Sequence, residues 1–177
     1  MNVAYIDTNE LVRLAREVQG VAPISRFRRL VGDATGGGLP PQADTTVSWS
    51  LKGMADGRGK QFLLLRVSAA PTLECQRCLQ PFQWPMDVET RLELVKSEAD
   101  LDDSTDGLHE QDPEDFVERI VGSQRLDIMA LVEDEIILGL PYVPKHEVCP
   151  SLPEALDQNA GADRPNPFAV LSQLKKD

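Results

Sequence analysis

No stretch of about 18 apolar residues occurs in the chain, which excludes a membrane-spanning helix. The N-terminus, MNVAYIDTNELVRLAREVQG, lacks a basic start followed by an apolar core, which argues against a secretory signal. Cysteine is scarce. The three present are an odd number, which argues against a disulfide framework and for a reducing compartment. The expectation is a cytoplasmic protein with no membrane contact. Only two histidines occur, and His109 lies in an acid-rich stretch, a poor setting for a positioned general base. No nucleophile elbow, Walker loop or dinucleotide fingerprint is present, and there is no internal repeat. These absences argue against an enzyme and against a small-molecule substrate.

What is present suits a globular chain. The 177 residues are 41% hydrophobic and 27% charged, enough to bury a core without disulfide support. A single domain over 1–177 is expected. The net charge of −11 is unevenly spread. Residues 1–96 carry 12 basic and 10 acidic side chains, whereas residues 97–117 carry nine acids and no base. Self-repulsion and poor apolar content predict a long, mobile acidic loop over 97–117. The whole-chain charge gives no long-range attraction to nucleic acid, although a local basic patch remains open.

The periodicities predict an α+β fold: an antiparallel β-meander sheet with packed helices. Asp7 and Glu10 fit a capping box, and Leu11, Leu14, Ala15 and Val18 then predict a helix over 7–19, stopped by Gly20. Residues 32–44, GDATGGGLPPQAD, read as a loop. Val47, Trp49 and Leu51 alternate with polar residues, as do Leu63, Leu65 and Val67, giving two strands around an Asp56-Gly57 turn. Residues 70–74 extend the second strand or begin a third. A turn over 75–81 leads to a strand from Phe82 to Val95, where Pro85 suits an edge or a strand entry. A short strand is expected from Phe116 to Arg125. Asp127 caps a helix running to about Leu140, ended by Pro141 and Pro144. Residues 150–165 read as a loop. Asn166 and Pro167 start a short C-terminal helix, with Lys175 and Lys176 at its end.

Three groups of residues could carry chemistry. Cys75-Gln76-Arg77-Cys78 and, far downstream, His146-Glu147-Val148-Cys149 supply four donors in two pairs spaced by two residues. Soft sulfur and imidazole donors in that pattern suit one tetrahedral, structural zinc, which would close a loop of roughly 70 residues. The same residues also fit a plain turn with a surface histidine, since the intervening stretch is long for a zinc pattern. A thioredoxin-like role is not supported, because no βαβ pattern flanks Cys75. Glu133-Asp134-Glu135 point about 100° apart on their helix, so they cannot converge on one site. They read as a solvated face complementing the helix dipole, with Glu135 nearest the apolar stripe. Arg26, Arg28 and Arg29 surround Phe27 and, with Arg77, Lys175 and Lys176, are the candidate RNA-binding cations. An ordinary exposed basic turn fits the first three equally.

Three blocks together resemble the large ribosomal RNA subunit accumulation protein family, YceD. They are Leu73 to Cys78 with Pro81-Phe82; Asp127 to Pro141 running into Val143 to His146 and Cys149; and Pro165 to Leu171 with its basic end. Their order and spacing cover most of residues 45–177. The resemblance implies a bacterial, cytoplasmic, non-enzymatic factor supporting synthesis, processing or stability of large-subunit (23S) ribosomal RNA. It implies no catalytic residues. The expected partner is large-subunit ribosomal RNA or a basic large-subunit ribosomal protein. The alternative is a zinc-stabilised interaction module whose nine acids hold basic ribosomal proteins without touching RNA.

Overall fold

The computed structural model describes residues 5–31, 39–42, 45–101 and 117–150. Residues 151–165 of the expected loop over 150–165, the C-terminal helix with Lys175 and Lys176, and most of the acidic loop therefore lie outside the described residues. Of that loop, Ser97 to Leu101 are described. Asp100 accepts from the Ser97 amide and hydroxyl, at 3.0 and 2.8 Å.

The element order is β1 (Tyr5–Ile6), α1 (Thr8–Arg13), β2 (Glu17–Pro23), α2 (Arg28–Val31), β3 (Thr46–Ala55), β4 (Gln61–Ala69), β5 (Thr72–Glu74), β6 (Pro81–Gln83), β7 (Met86–Val95), β8 (Glu118–Val121), β9 (Leu126–Asp127) and α3 (Ile128–Gly139). The main sheet has the order β2-β3-β4-β7-β8. Two short ribbons, β1-β9 and β5-β6, complete the α+β fold. The first four strands of the main sheet pair antiparallel, as the alternation predicts. β8 joins β7 in parallel, unlike a pure meander. A parallel neighbour needs a long crossover, and the acid-rich stretch between them supplies the length.

One face of the sheet carries the core. Val47, Leu51, Leu63 and Leu65 are fully buried, with Trp49, Val67 and Leu92 nearly so. Each such side chain contributes about 1.5–3 kcal/mol by leaving water. α1 lies against β3 and β4, and α3 lies against β4 and β7. Ile128, Val132 and Ile136, spaced by four residues, form the buried stripe of α3. Its start is as expected: the Asp127 carboxylate accepts from the Met129 and Ala130 amides.

The expected helix over 7–19 ends six residues earlier, at Arg13. Asp7 does cap it, accepting from the Asn9 and Glu10 amides. The chain then reverses through Ala15, whose φ of 47° takes the left-handed position that usually follows a helix. Val18 and Gly20 become part of strand β2 rather than a helix face and its stop. Gly20 pairs with Trp49, and a Cβ there would lie 2.6 Å from the indole. Gly53 matters in the same way. α1 crosses β3 so closely that a Cβ at Gly53 would meet the Leu11 carbonyl at 2.5 Å. The expected strand from Phe82 to Val95 is two strands. Pro85 has no amide to donate, so the chain leaves β6 and re-enters the main sheet as β7.

Two acids of the triplet on α3 are buried rather than solvated, and only Asp134 stays open to water. Glu133 is 8% exposed and Glu135 is 6% exposed. Glu133 Oε1 accepts from the Arg29 and Leu30 amides at 2.7 and 3.2 Å, and its Oε2 accepts from Arg29 Nε at 2.9 Å. The same guanidinium donates to Asp134 Oδ1 at 2.6 Å and to the Ala130 carbonyl at 3.2 Å. One carboxylate from α3 thus satisfies amides at the start of α2 and fixes α2 against α3.

Glu135 accepts from the Thr90 hydroxyl at 2.6 Å. Burial pushes its carboxyl above the ordinary value, against the pull of that hydrogen bond, and the charges of Glu118 and Asp134 add to the rise. A raised acid is matched to the folded state when protonated, so its stabilising contribution is lost as pH rises through the folded value. Glu135→Gln keeps an acceptor for Thr90 and removes the charge. It is expected to melt higher than the parent at pH 8, with the difference shrinking as pH falls towards 5. A variant less stable than the parent at pH 8 contradicts this.

Candidate metal centre

The β5-β6 ribbon is an insertion between β4 and β7, and its tip carries Cys75 and Cys78. The Cys75 amide donates to the Gln80 carbonyl at 3.0 Å, and the Leu79 amide donates to the Cys75 carbonyl at 2.8 Å. Leu79 has a φ of 59°, which lets the backbone fold back tightly after Cys78. Both cysteines are buried. Beyond α3, Pro141 and Pro144 prevent another helix, and residues 141–150 have neither helix nor strand. That segment returns to the ribbon tip, where the Gln76 amide donates to the Pro144 carbonyl at 2.9 Å.

The return brings His146 and Cys149 onto the two cysteines. One donor atom from each of Cys75, Cys78, His146 and Cys149 lies within 4.8 Å of every other. Cys75 Sγ and Cys149 Sγ are 3.7 Å apart, and Cys78 Sγ is 3.3 Å from His146 Nδ1. A tetrahedral ion with metal–sulfur bonds of about 2.3 Å spaces two sulfurs by about 3.8 Å, so this cluster has the right size. The Phe82 ring, 4.7 Å from the imidazole and tilted by 41°, packs beside His146. All three cysteines are free thiols. The set could hold a metal ion.

The electrostatics favour a thiolate. Burial pushes the Cys75 thiol up, but amides of Cys78, His146 and Arg77 and the His146 ring stabilise its anion more strongly and hold it at about 5. The His146 amide points at Cys75 Sγ from 3.4 Å. Cys78 is pushed up, first by burial and then by the neighbouring cysteines, with the Gln80 amide opposing. A cation placed among the three sulfurs would remove that mutual repulsion.

The four donors predicted from spacing therefore converge. The candidate RNA-binding cations occupy separate elements. Arg26 closes a short turn after β2, and Arg28 begins α2. Both are exposed, with no polar partner among the described residues. Arg29 is held by Glu133 and Asp134, and Arg77 donates to Cys149 Sγ at 2.9 Å. Neither Phe82 as a neighbour of His146 nor the Pro144 carbonyl as a clamp follows from motif spacing. Pro81-Phe82 falls within the first resembling block, but only the folded ribbon sets the ring against the imidazole.

No described helix is long and apolar enough to cross a membrane. No solved structure matches this chain. The large ribosomal RNA subunit accumulation protein YceD of Haemophilus influenzae (strain ATCC 51907 / DSM 11121 / KW20 / Rd) is 36% identical over 115 residues, covering 59% of this chain and 59% of that protein. The chain thus matches rather more than half the length of that curated relative. Residues 63–175, which include all four donors, match the family described as large ribosomal RNA subunit accumulation protein YceD. That span is more than half of the chain, and the chain belongs to the YceD family.

Proposed function

We propose that this chain supports the accumulation of large-subunit ribosomal RNA in the bacterial cytoplasm as a non-enzymatic docking scaffold. In this reading a structural zinc ion on Cys75, Cys78, His146 and Cys149 holds its docking surface. The observation that carries the metal is the single tight cluster of three sulfurs and one imidazole. Three sulfurs and a nitrogen suit zinc better than the harder divalent ions. With four protein ligands no position remains for an activated water, so the ion is structural and not catalytic. The role in ribosomal RNA rests on the family and on the relative's name.

The partner that fits best is a basic large-subunit ribosomal protein. The net charge is −11, and nine acids sit within 97–117. Of the six candidate RNA-binding cations, Arg29 is engaged by carboxylates and Arg77 by the Cys149 sulfur and a carbonyl. Two of the six are thus committed to internal contacts, and the acid-rich stretch 97–117 offers negative charge for lysine-rich segments. Direct contact with ribosomal RNA is the competing reading, and it would use Arg26, Arg28, Lys175 and Lys176.

Protein purified without a metal-affinity tag is expected to contain one zinc per chain, and a chelator is expected to lower its melting temperature. Zinc near zero, with melting unchanged by the chelator, removes the metal from the account. For the partner, crosslinking in cells followed by identification of attached RNA and protein separates the two readings. The expected product is a basic ribosomal protein, lost on deleting residues 102–116. Crosslinks confined to ribosomal RNA at Arg26 and Arg28, weakening steeply with salt in a gel shift, contradict the protein reading.

A further inference from the structure

We propose that Arg77 is a positioning residue of the metal centre and not a phosphate contact: its guanidinium locks the Cys149 thiolate and the 146–147 backbone onto the ribbon tip. The proposal rests on the zinc reading above. Arg77 lies between the two cysteines of the tip, yet its side chain reaches across to the other half of the donor set. Nε donates to Cys149 Sγ at 2.9 Å. Nη2 donates to the His146 carbonyl at 2.9 Å and faces the Glu147 carbonyl at 3.5 Å. One planar fork therefore grips a ligand sulfur and the backbone of a ligand histidine together.

The chemistry of the centre gives this contact a purpose. Three thiolates around a divalent ion leave one net negative charge. Arg77 places a permanent positive charge beside it and shares the charge of the most exposed sulfur. Cys75 and Cys78 are buried, whereas Cys149 is only partly so. Cys149 is thus the sulfur most open to water and to electrophiles, and it is the one that receives the guanidinium. A hydrogen bond to a bound thiolate lowers its nucleophilicity and its tendency to leave with a proton. Lysine cannot replace this arrangement, because a single ammonium lacks the fork that spans sulfur and carbonyl. Among the described contacts only Nη1 stays unengaged, so a phosphate would have to compete with three internal acceptors.

The test compares the full chain with Arg77→Ala, Arg77→Lys and a control, Arg28→Ala, each loaded with zinc or cobalt(II) under reducing conditions. Zinc affinity is measured against a chromophoric chelator. Arg77→Ala is expected to bind about 10–100-fold more weakly, with Arg77→Lys between it and the parent and the control unchanged. In the cobalt form the sulfur-to-cobalt charge-transfer band is expected to move to lower energy in Arg77→Ala, as one sulfur loses its hydrogen bond. Alkylation of the zinc form, followed by mass spectrometry, is expected to accelerate at Cys149 and not at Cys75 or Cys78. Parent-like affinity, band position and Cys149 alkylation in both Arg77 variants overturn the role of Arg77 and leave the zinc reading standing. A parent protein that takes up neither zinc nor cobalt removes the zinc reading itself, and the role of Arg77 with it. Should Arg77→Ala fail to fold, the lysine variant still decides through its band position and its Cys149 alkylation rate.

Discussion

The order of the segment beyond α3 depends on its joining, about 70 residues along the chain, to the β5-β6 ribbon tip, where Cys75, Cys78, His146 and Cys149 form a cluster that could hold a metal ion. Residues 141–150 have no helix or strand, and Tyr142, Val143 and Val148 stay exposed. Such a segment cannot offset its lost conformational freedom by burying apolar surface. Its order has to come from elsewhere. The contacts that supply it meet at the ribbon tip: the Gln76 amide on the Pro144 carbonyl, the Phe82 ring beside His146, and the sulfur and imidazole donors themselves. An ion bound by both segments, as proposed, would turn coordination energy into folding energy for the part of the chain that lacks a core.

The rest of the molecule is arranged so that this tip can project. β5 and β6 leave the meander after β4 and return it at Pro85, so the ribbon is an excursion from a sheet whose own core is complete without it. On the core side, buried acids are answered locally. Glu133 caps α2 and pairs with Arg29, while Glu135 accepts from Thr90. These acids are therefore taken up inside the fold, and the net negative charge of the chain comes mainly from the nine acids of residues 97–117.

Much of the sheet was legible because its strands are half-buried, and half-burial writes a period of two. Val47, Trp49 and Leu51, and Leu63, Leu65 and Val67, all face the core as their alternation requires. The cap of α3 was equally plain, since a side-chain acceptor at Asp127 is a local device. The failures share a cause: tertiary contact overrode a local signal. Val18 and Gly20 continue a helical pattern on paper, but pairing with Leu51 and Trp49 takes them into the sheet. The Glu133–Arg29 pair joins residues 104 apart in sequence and follows no spacing rule. The four candidate donors were legible as two short motifs, yet nothing in the sequence states that a turn and a post-helix segment meet. Arg77 shows the same limit from the other side. By composition it is one more surface cation, and only the folded tip reveals a sulfur at its end.

X-ray absorption at the zinc edge tests the central claim most directly, because it reports the atoms bound to the ion in the intact chain. The account predicts a first shell of three sulfurs at about 2.3 Å and one nitrogen at about 2.0–2.1 Å. A shell dominated by oxygen, or one with fewer than three sulfurs, would show that these four side chains do not together hold the metal, and that the join between the two segments has another origin.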